Sequence, residues 1–169
     1  GMNIGMSKTD STSVRAARKL LKHKHARKLI LPKDYVVADT FSSNARSSIV
    51  TPNTIGTHQI ALDIGSDTVK MFKQYLRKAH TIVWNGPLGY AEWAQFATAT
   101  KEIGRYIGSL TAFSILGGGE TAAFAHKFHF QDIGHISTGG GAALEFLETG
   151  KLVAVDALVR NYRRLKGKK

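Results

Sequence analysis

SILGGGETAAFAHKFHFQDIGHISTGGGAALEFLETGK, residues 114–151, carries one pattern twice: a short apolar strand-like run, three glycines, then an alanine-rich stretch with helical spacing. In the first half SIL leads into Gly117, Gly118 and Gly119; in the second, HIST leads into Gly139, Gly140 and Gly141. Glycine between strand and helix lets backbone approach a ligand closely, and the unpaired N–H groups of the helix start favour an anion. One such triplet serves equally well as a tight turn; two on one rim favour a phosphate site. Neither triplet fits G-x-G-x-x-G or the G-x-x-x-x-G-K-[ST] phosphate loop.

Outward from this stretch, TIVW (81–84) reads as a buried strand closed by the turn NGPLG (85–89), and residues 92–109 as a helix with Phe96, Ile103 and Ile107 inward. IALDI (60–64) is another short apolar run, followed by a helix to about residue 78 that Ser66 and Asp67 cap and that buries Val69, Phe72 and Leu76. KLIL (28–31) and YVVA (35–38) read as two strands broken at Pro32, and the polar stretch 40–60 as a small hairpin or a functional flap. Residues 7–25 read as an amphipathic helix with a narrow stripe of Val14, Ala17, Leu20 and Leu21, and 151–165 end in a short helix. Strands at 111–116 and 133–137 alternate with helices at 120–128 and 141–148, which argues for an α/β layered fold with a parallel sheet. Ligands of such sheets bind beyond the carboxyl ends of the strands, so the glycine turns at 85–89, 117–119 and 139–141 are expected on one rim.

The chain has 169 residues, 43% of them hydrophobic, enough for one ordinary domain with a sizeable core. The absence of cysteine excludes disulfides and Cys-based zinc sites. No apolar run reaches membrane-spanning length and no signal segment leads the chain, so a cytoplasmic protein without a membrane partner is expected. The net charge of +12 sits at the two ends. Residues 1–33 hold nine Lys/Arg against one acid, residues 160–169 six against none, and the middle nine against eleven. Basic ends can bind nucleic acid nonspecifically, but no aromatic stacking pattern interleaves these charges, and a solvated helix face with a frayed tail is the simpler reading.

Glu120 and Thr121 begin the helix after the first triplet, where a carboxylate either holds Mg²⁺ against a bound phosphate or complements the helix dipole. Glu92 follows the NGPLG turn at a distance suited to ribose hydroxyls, and equally suited to an exposed first-turn glutamate. His126 and His129, three apart, invite a metal-pair reading, yet no cysteine and no third ligand accompany them. No Ser-His-Asp order or paired-carboxylate spacing points to hydrolysis, so phosphoryl transfer by positioning is the chemistry that remains.

These residues resemble the phosphoglycerate kinase family. TIVWNGPLG with Glu92 is similar to the family's VWNGPxGxFE, ILGGGET (115–121) to its VGGGDT, and HISTGGGA with LEFL (135–147) to HISTGGGASLEFL. Shorter echoes at 3–5, 31–32, 37–39 and 62–65 follow in the family's order, so the resemblance covers about residues 3–158. It implies a three-layer, Rossmann-like parallel α/β sheet, incomplete relative to the family's C-terminal nucleotide domain: residues 1–165 as a partial nucleotide-binding domain and 166–169 as a disordered basic tail. The half that binds 3-phosphoglycerate is missing, as is the Gly-Gly-Ala-Lys segment whose lysines contact nucleotide phosphates.

By resemblance, Mg-ADP or Mg-ATP is the ligand of a glycolytic transfer between 1,3-bisphosphoglycerate and ADP. Asn85, Gly86 and Pro87 fall to the nucleotide pocket, Glu92 to the ribose, and Gly117, Gly118, Gly119 and Thr121 to the phosphates. Gly139, Gly140 and Gly141 present helix N–H groups near the transferred phosphoryl, with Gly118, Gly119, Gly140 and Gly141 as the catalytic set. Glu120 stands where the family has Asp for the metal, one methylene longer; Ala91 replaces its Phe and Ala61 its Gly. Without the missing half the chain is expected to bind nucleotide weakly and not to turn over. The alternative is a non-catalytic remnant whose open edges and apolar surface pair with a second copy or with a separate partner chain.

Overall fold

In the computed structural model, which describes residues 3–166, the first apolar runs pair as an antiparallel sheet, not as part of one parallel layer. Strand β1 (Tyr35–Ala38) lies between β2 (Ser47–Val50) and β3 (Ile60–Ile64), antiparallel to both, with a bulge at Val36/Val37 on the β3 side. The stretch 40–60 supplies the second arm of a hairpin, β2, whose first arm β1 precedes it, and then a 3-10 turn (Pro52–Thr54) on the way to β3. These strands belong to a unit formed by residues 3–78 and 87–106; residues 79–86 and 107–166 form a second unit.

Inside the first unit, Ala38, Ala45, Leu62 and Phe96 form a buried cluster edged by Val36, Ile60, Tyr90 and Trp93. The rings of Tyr90 and Phe41 both pack on Trp93 with centroids 4.6 Å away. Helix α1 (Ser11–Leu21) starts on Asp10, whose carboxylate accepts from the N–H groups of Thr12 and Ser13 at 2.9 Å, and it buries no residue. The expected strand at 28–31 does not form: a 3-10 turn (Ala26–Lys28) gives way to exposed, irregular backbone at Leu29, Ile30 and Leu31. A strand needs a neighbour to take its N–H and C=O groups, and residues 28–31 pair with none of the described strands.

Helix α2 (Ser66–Leu76) is capped from a distance. The Asp34 carboxylate, 33 residues upstream, accepts from the N–H groups of Asp67 (3.0 Å) and Thr68 (2.8 Å) and from the Thr68 hydroxyl, in place of the expected cap by Ser66 and Asp67. Thr68 Oγ1 in turn accepts from the N–H groups of Lys33 and Asp34. A Cβ on Gly65 would lie 2.2 Å from Asp34 Oδ2, so only glycine lets the carboxylate reach the helix start. Val69 is buried, while Phe72 and Leu76 are half-buried. Residues 92–97 are not helical from Glu92 as expected. They fold as turns around a short 3-10 segment (Ala94–Phe96) that sinks Ala91, Phe96 and Ala97, and α3 (Thr98–Gly108) follows.

The second unit holds the parallel sheet, β4 (Thr81–Asn85), β5 (Phe113–Gly117) and β6 (His135–Ser137) in that order. Register sets Asn85 beside Gly117 and Gly117 beside Ser137 at the carboxyl ends. Helix α4 (Gly119–Lys127) packs on β5 and β6, and α5 (Gly140–Thr149) on β5. Ile82 and Trp84 point inward, Trp84 stacking on Phe130 at 5.9 Å, but Val83 and Phe113 on the other face stay exposed, so TIVW is buried on one face only. Helix α6 (Val153–Lys166) runs longer than expected and takes in Lys166; residues 167–169 of the expected tail lie outside the described residues.

Two buried carboxyls make the first unit pH-sensitive in opposite senses. Burial pushes Asp63 up to about 6, opposed by N–H donors from Ala99 and Ile64 and aided by Glu102. Folded Asp63 therefore binds its proton more tightly than the unfolded chain does, and stability falls as pH rises from about 4 to about 6, by about 3 kcal/mol. Burial also pushes Asp34 up, but hydrogen bonds from Thr68 and Asp67 and the Lys70 charge outweigh it and hold Asp34 below its ordinary range. Its contribution is present above the ordinary carboxylate range and is lost as pH falls through the lowered folded value. Urea midpoints against pH should peak near the ordinary carboxylate range. Asp63→Asn should flatten the fall on the alkaline side, and Asp34→Ala should remove the acid limb and cost about 3 kcal/mol at neutral pH.

Candidate functional site

Three parallel strands ending level leave three turns on one rim of the second unit. Asn85 ends β4, Gly117 ends β5, and the chain after β6 reaches Gly139 and Gly140, where α5 begins. The two glycine turns are fastened together: the Gly118 N–H donates to the Ser137 carbonyl at 2.9 Å. A Cβ on Gly140 would sit 2.7 Å from the Gly118 Cα and 2.8 Å from Asn85 Oδ1. Gly118 itself has φ of 98°, a left-handed conformation that side chains rarely adopt. At the third turn Gly86 has φ of 88° and donates its N–H to the buried Thr121 hydroxyl at 2.7 Å, while the Trp84 indole N–H donates to the Gly86 carbonyl.

Between these turns lies a cleft of about 340 Å³ lined by Asn85, Gly86, Gly118, Gly119, Glu120, Thr121, Gly140 and Gly141. Within each glycine turn the residues divide by task. Gly118 and Gly140 are held by their closeness to each other, whereas a Cβ on Gly119 would have no neighbour nearer than 4.0 Å and one on Gly141 would meet none within 4 Å. The latter two leave room for a ligand. The first N–H groups of α4 and α5 have no intrahelical acceptor, and the positive ends of both helix dipoles sit at this cleft. Its lining includes no lysine or arginine, so its attraction for an anion comes from backbone.

The residues singled out from sequence divide accordingly. Asn85, Gly86, Gly118, Gly119, Glu120, Thr121, Gly140 and Gly141 line the cleft together; Gly117 is buried at the end of β5, and Gly139 is the exposed residue before α5. Thr121 braces the Gly86 turn with its hydroxyl. Pro87 and Glu92 belong to the first unit, where Glu92 is exposed and Pro87 lines a separate hollow of about 370 Å³ with Leu62, Ile64, Leu88 and Tyr90 among its walls. The Thr100 hydroxyl, read from sequence as unremarkable, is buried there and accepts the Leu88 N–H at 3.1 Å. Asp63 accepts the Ala99 N–H at 3.1 Å, and a Cβ on Gly89 would lie 2.3 Å from its Oδ1. Nothing in local sequence marks Thr100, whose partner Leu88 lies twelve residues away, and Asp63 lies in one of the shorter family echoes without its reach to Ala99 being legible there.

Among the described residues no three His, Cys, Asp or Glu side chains gather as a metal site, and His126 and His129 have no third ligand. Glu120 is the one carboxylate among the cleft-lining residues, exposed on the first turn of α4. A single carboxylate suits Mg²⁺ that arrives with phosphates and keeps its waters, and does not suit an all-protein cage.

The sequence and the shape have close counterparts. The family described as phosphoglycerate kinase matches residues 1–151. Phosphoglycerate kinase of Staphylococcus aureus (strain JH9) is 42% identical over 160 residues, covering 94% of this chain and 40% of that protein. The structure of phosphoglycerate kinase from Coxiella burnetii superposes with a TM-score of 0.86 at 35% identity, covering 95% of this chain and 42% of that one. The enzyme from Pyrococcus horikoshii OT3 gives 0.78 at 31% identity, covering 90% and 37%. The chain spans about 40% of the length of the curated relatives it matches. With the match extending over most of its residues and the fold shared, the chain belongs to the phosphoglycerate kinase family.

Proposed function

We propose that the cleft of the second unit takes the phosphates of Mg-ADP or Mg-ATP, and that this chain is the nucleotide-binding part of a cytoplasmic phosphoglycerate kinase-like transfer between 1,3-bisphosphoglycerate and ADP. The observation that carries the reading is the pair of helix starts with open glycines, Gly119 and Gly141, on one cleft. Backbone N–H groups fixed in this way need no reorganisation when phosphate charge arrives. Gly118 and Gly140 hold the two helix starts together, and Thr121 and Asn85 fix the third turn beside them. Glu120 would hold Mg²⁺, which when bound neutralises phosphate charge. The roles of Pro87 and Glu92 in the nucleotide pocket rest on the motif resemblance alone.

On this reading the 169 residues by themselves bind nucleotide weakly and do not transfer phosphoryl. Transfer depends on positioning two substrates and compensating their charge. The cleft offers no cationic side chain for the charge, and no acceptor-binding part is recognisable in the sequence.

Calorimetric titration with Mg-ADP tests the reading. A saturable one-site isotherm is expected, weakened at least about tenfold by Gly141→Val, whose side chain enters open space and leaves the fold intact. No heat of binding, or equal affinity in Gly141→Val, would refute the assignment of the cleft. Glu120→Ala should reduce the gain in affinity that Mg²⁺ brings to ADP while leaving metal-free ADP binding nearly unchanged. In a coupled assay with 3-phosphoglycerate and ATP, the purified chain should show no acyl-phosphate formation.

A further inference from the structure

The Asp63 carboxyl stands where three segments of the first unit meet: β3, the turn 87–90 and the entry to α3. It is 4% exposed. Oδ1 accepts the Ile64 N–H at 2.9 Å, and Oδ2 accepts the Ala99 N–H at 3.1 Å in the first turn of α3. Gly89 backs onto this carboxyl. A Cβ there would strike Asp63 Oδ1 and would lie 2.6 Å from the Phe96 carbonyl oxygen, so both oxygens front the same Cα. Phe96 is fully buried, yet among the described residues no group donates a hydrogen bond to its carbonyl. Buried carbonyls rarely lack a donor. With Asp63 ionised, the two oxygens are both acceptors and repel. A proton on Oδ1 turns Asp63 into a donor and supplies what the carbonyl lacks.

The turn that contains Gly89 is one wall of the first-unit hollow of about 370 Å³, which Asp63 also lines. On either side of Gly89 the wall is held by neutral bonds. The Leu88 N–H donates to the buried Thr100 hydroxyl at 3.1 Å, and the Tyr90 N–H to the Leu62 carbonyl at 2.7 Å. Gly89, between them, rests on a group that can gain and lose a proton. Burial, and after it the Glu102 charge on α3, favour the proton on Asp63, against the N–H donors of Ala99, Ile64 and Thr98. The Lys73 ammonium of α2 is engaged by Glu102 at 2.8 Å. Tyr35 of β1 and Tyr90 of the turn line the same hollow, and Asp34, just before β1, directs its carboxylate to the start of α2.

We propose that Asp63 is a proton-operated latch on the turn 87–90, the wall of the first-unit hollow. Protonated, it donates to the Phe96 carbonyl and clamps Gly89 between β3 and the segment 94–96. Ionised, it is drawn to the N–H groups of Thr98 and Ala99, leaves the Phe96 carbonyl without a donor, and loosens the turn. The wall is therefore fixed at acid pH and looser at neutral pH. The latch does not rest on nucleotide binding, because the wall reports its own state with no ligand present.

Chemical shifts of the full chain labelled with ¹³C and ¹⁵N, followed from about pH 4.5 to about pH 8, test this. Four signals matter: the Asp63 carboxyl carbon, the Phe96 carbonyl carbon, and the amides of Gly89 and Tyr90. All four should move in one step with a shared midpoint near 6. Asp63→Asn puts an amide donor where the proton sits, so Phe96 and the turn should keep their low-pH positions throughout. Glu102→Gln removes the neighbouring negative charge and should lower the midpoint of all four signals together. The proposal is overturned if Asp63 titrates while the Phe96 carbonyl and the turn stay still, or if Asp63 does not titrate between about 5 and about 7. It is equally overturned if the step in Gly89 and Tyr90 survives Asp63→Asn, or if Glu102→Gln moves the Asp63 midpoint without moving theirs. Should Asp63→Asn not fold, the parent chain and Glu102→Gln decide by whether the four midpoints coincide.

Discussion

A methyl group on Gly140 would press 2.7 Å from the Gly118 Cα, and that closeness is the constraint on which the candidate site depends. Two helix starts can share one anion only if their first turns touch, and backbone touches backbone only where side chains are absent. The parallel register of β4, β5 and β6 brings the turns level, and the Gly118 to Ser137 hydrogen bond fastens them. The Thr121 hydroxyl then ties the Gly86 turn to the same rim. Each of these contacts lies within the second unit.

The first unit depends on a different device, a carboxylate used as structure. Asp34 caps α2 from β1's leading edge, and Asp63 receives the N–H groups of Ile64 and Ala99 from within the core. Asp34 stabilises as a carboxylate because its donors outweigh its burial, whereas burial outweighs the donors of Asp63 and favours its protonated form, since a buried charge short of partners is costly. Gly65 and Gly89 are glycines for the same reason, because each backs directly onto one of these carboxylates.

What the sequence disclosed, it disclosed through local pattern. The doubled strand-Gly-Gly-Gly-helix unit, the TIVW strand and the turn after it are written in consecutive residues, and the structure contains them within a residue or two. Eight of the residues singled out line the cleft, whereas Gly117 and Gly139 stand just outside it and Pro87 and Glu92 belong to the first unit. What was hidden is non-local. Antiparallel pairing of β1 with β2 and β3 depends on partners that four-residue strands do not announce, and the capping of α2 by Asp34 spans 33 residues. The KLIL run has strand composition but pairs with no strand, and residues 92–97 have helical spacing that the burial of Phe96 and Ala97 overrides.

The central claim is that backbone N–H groups at two helix starts hold phosphate. Amide chemical shifts of the ¹⁵N-labelled chain, recorded as inorganic pyrophosphate and then Mg-ADP are added, report on those groups one by one. The account predicts that the largest shifts with both ligands fall on Gly119, Glu120, Gly141 and Ala142. Shifts confined to other residues, or none at these four, would contradict it.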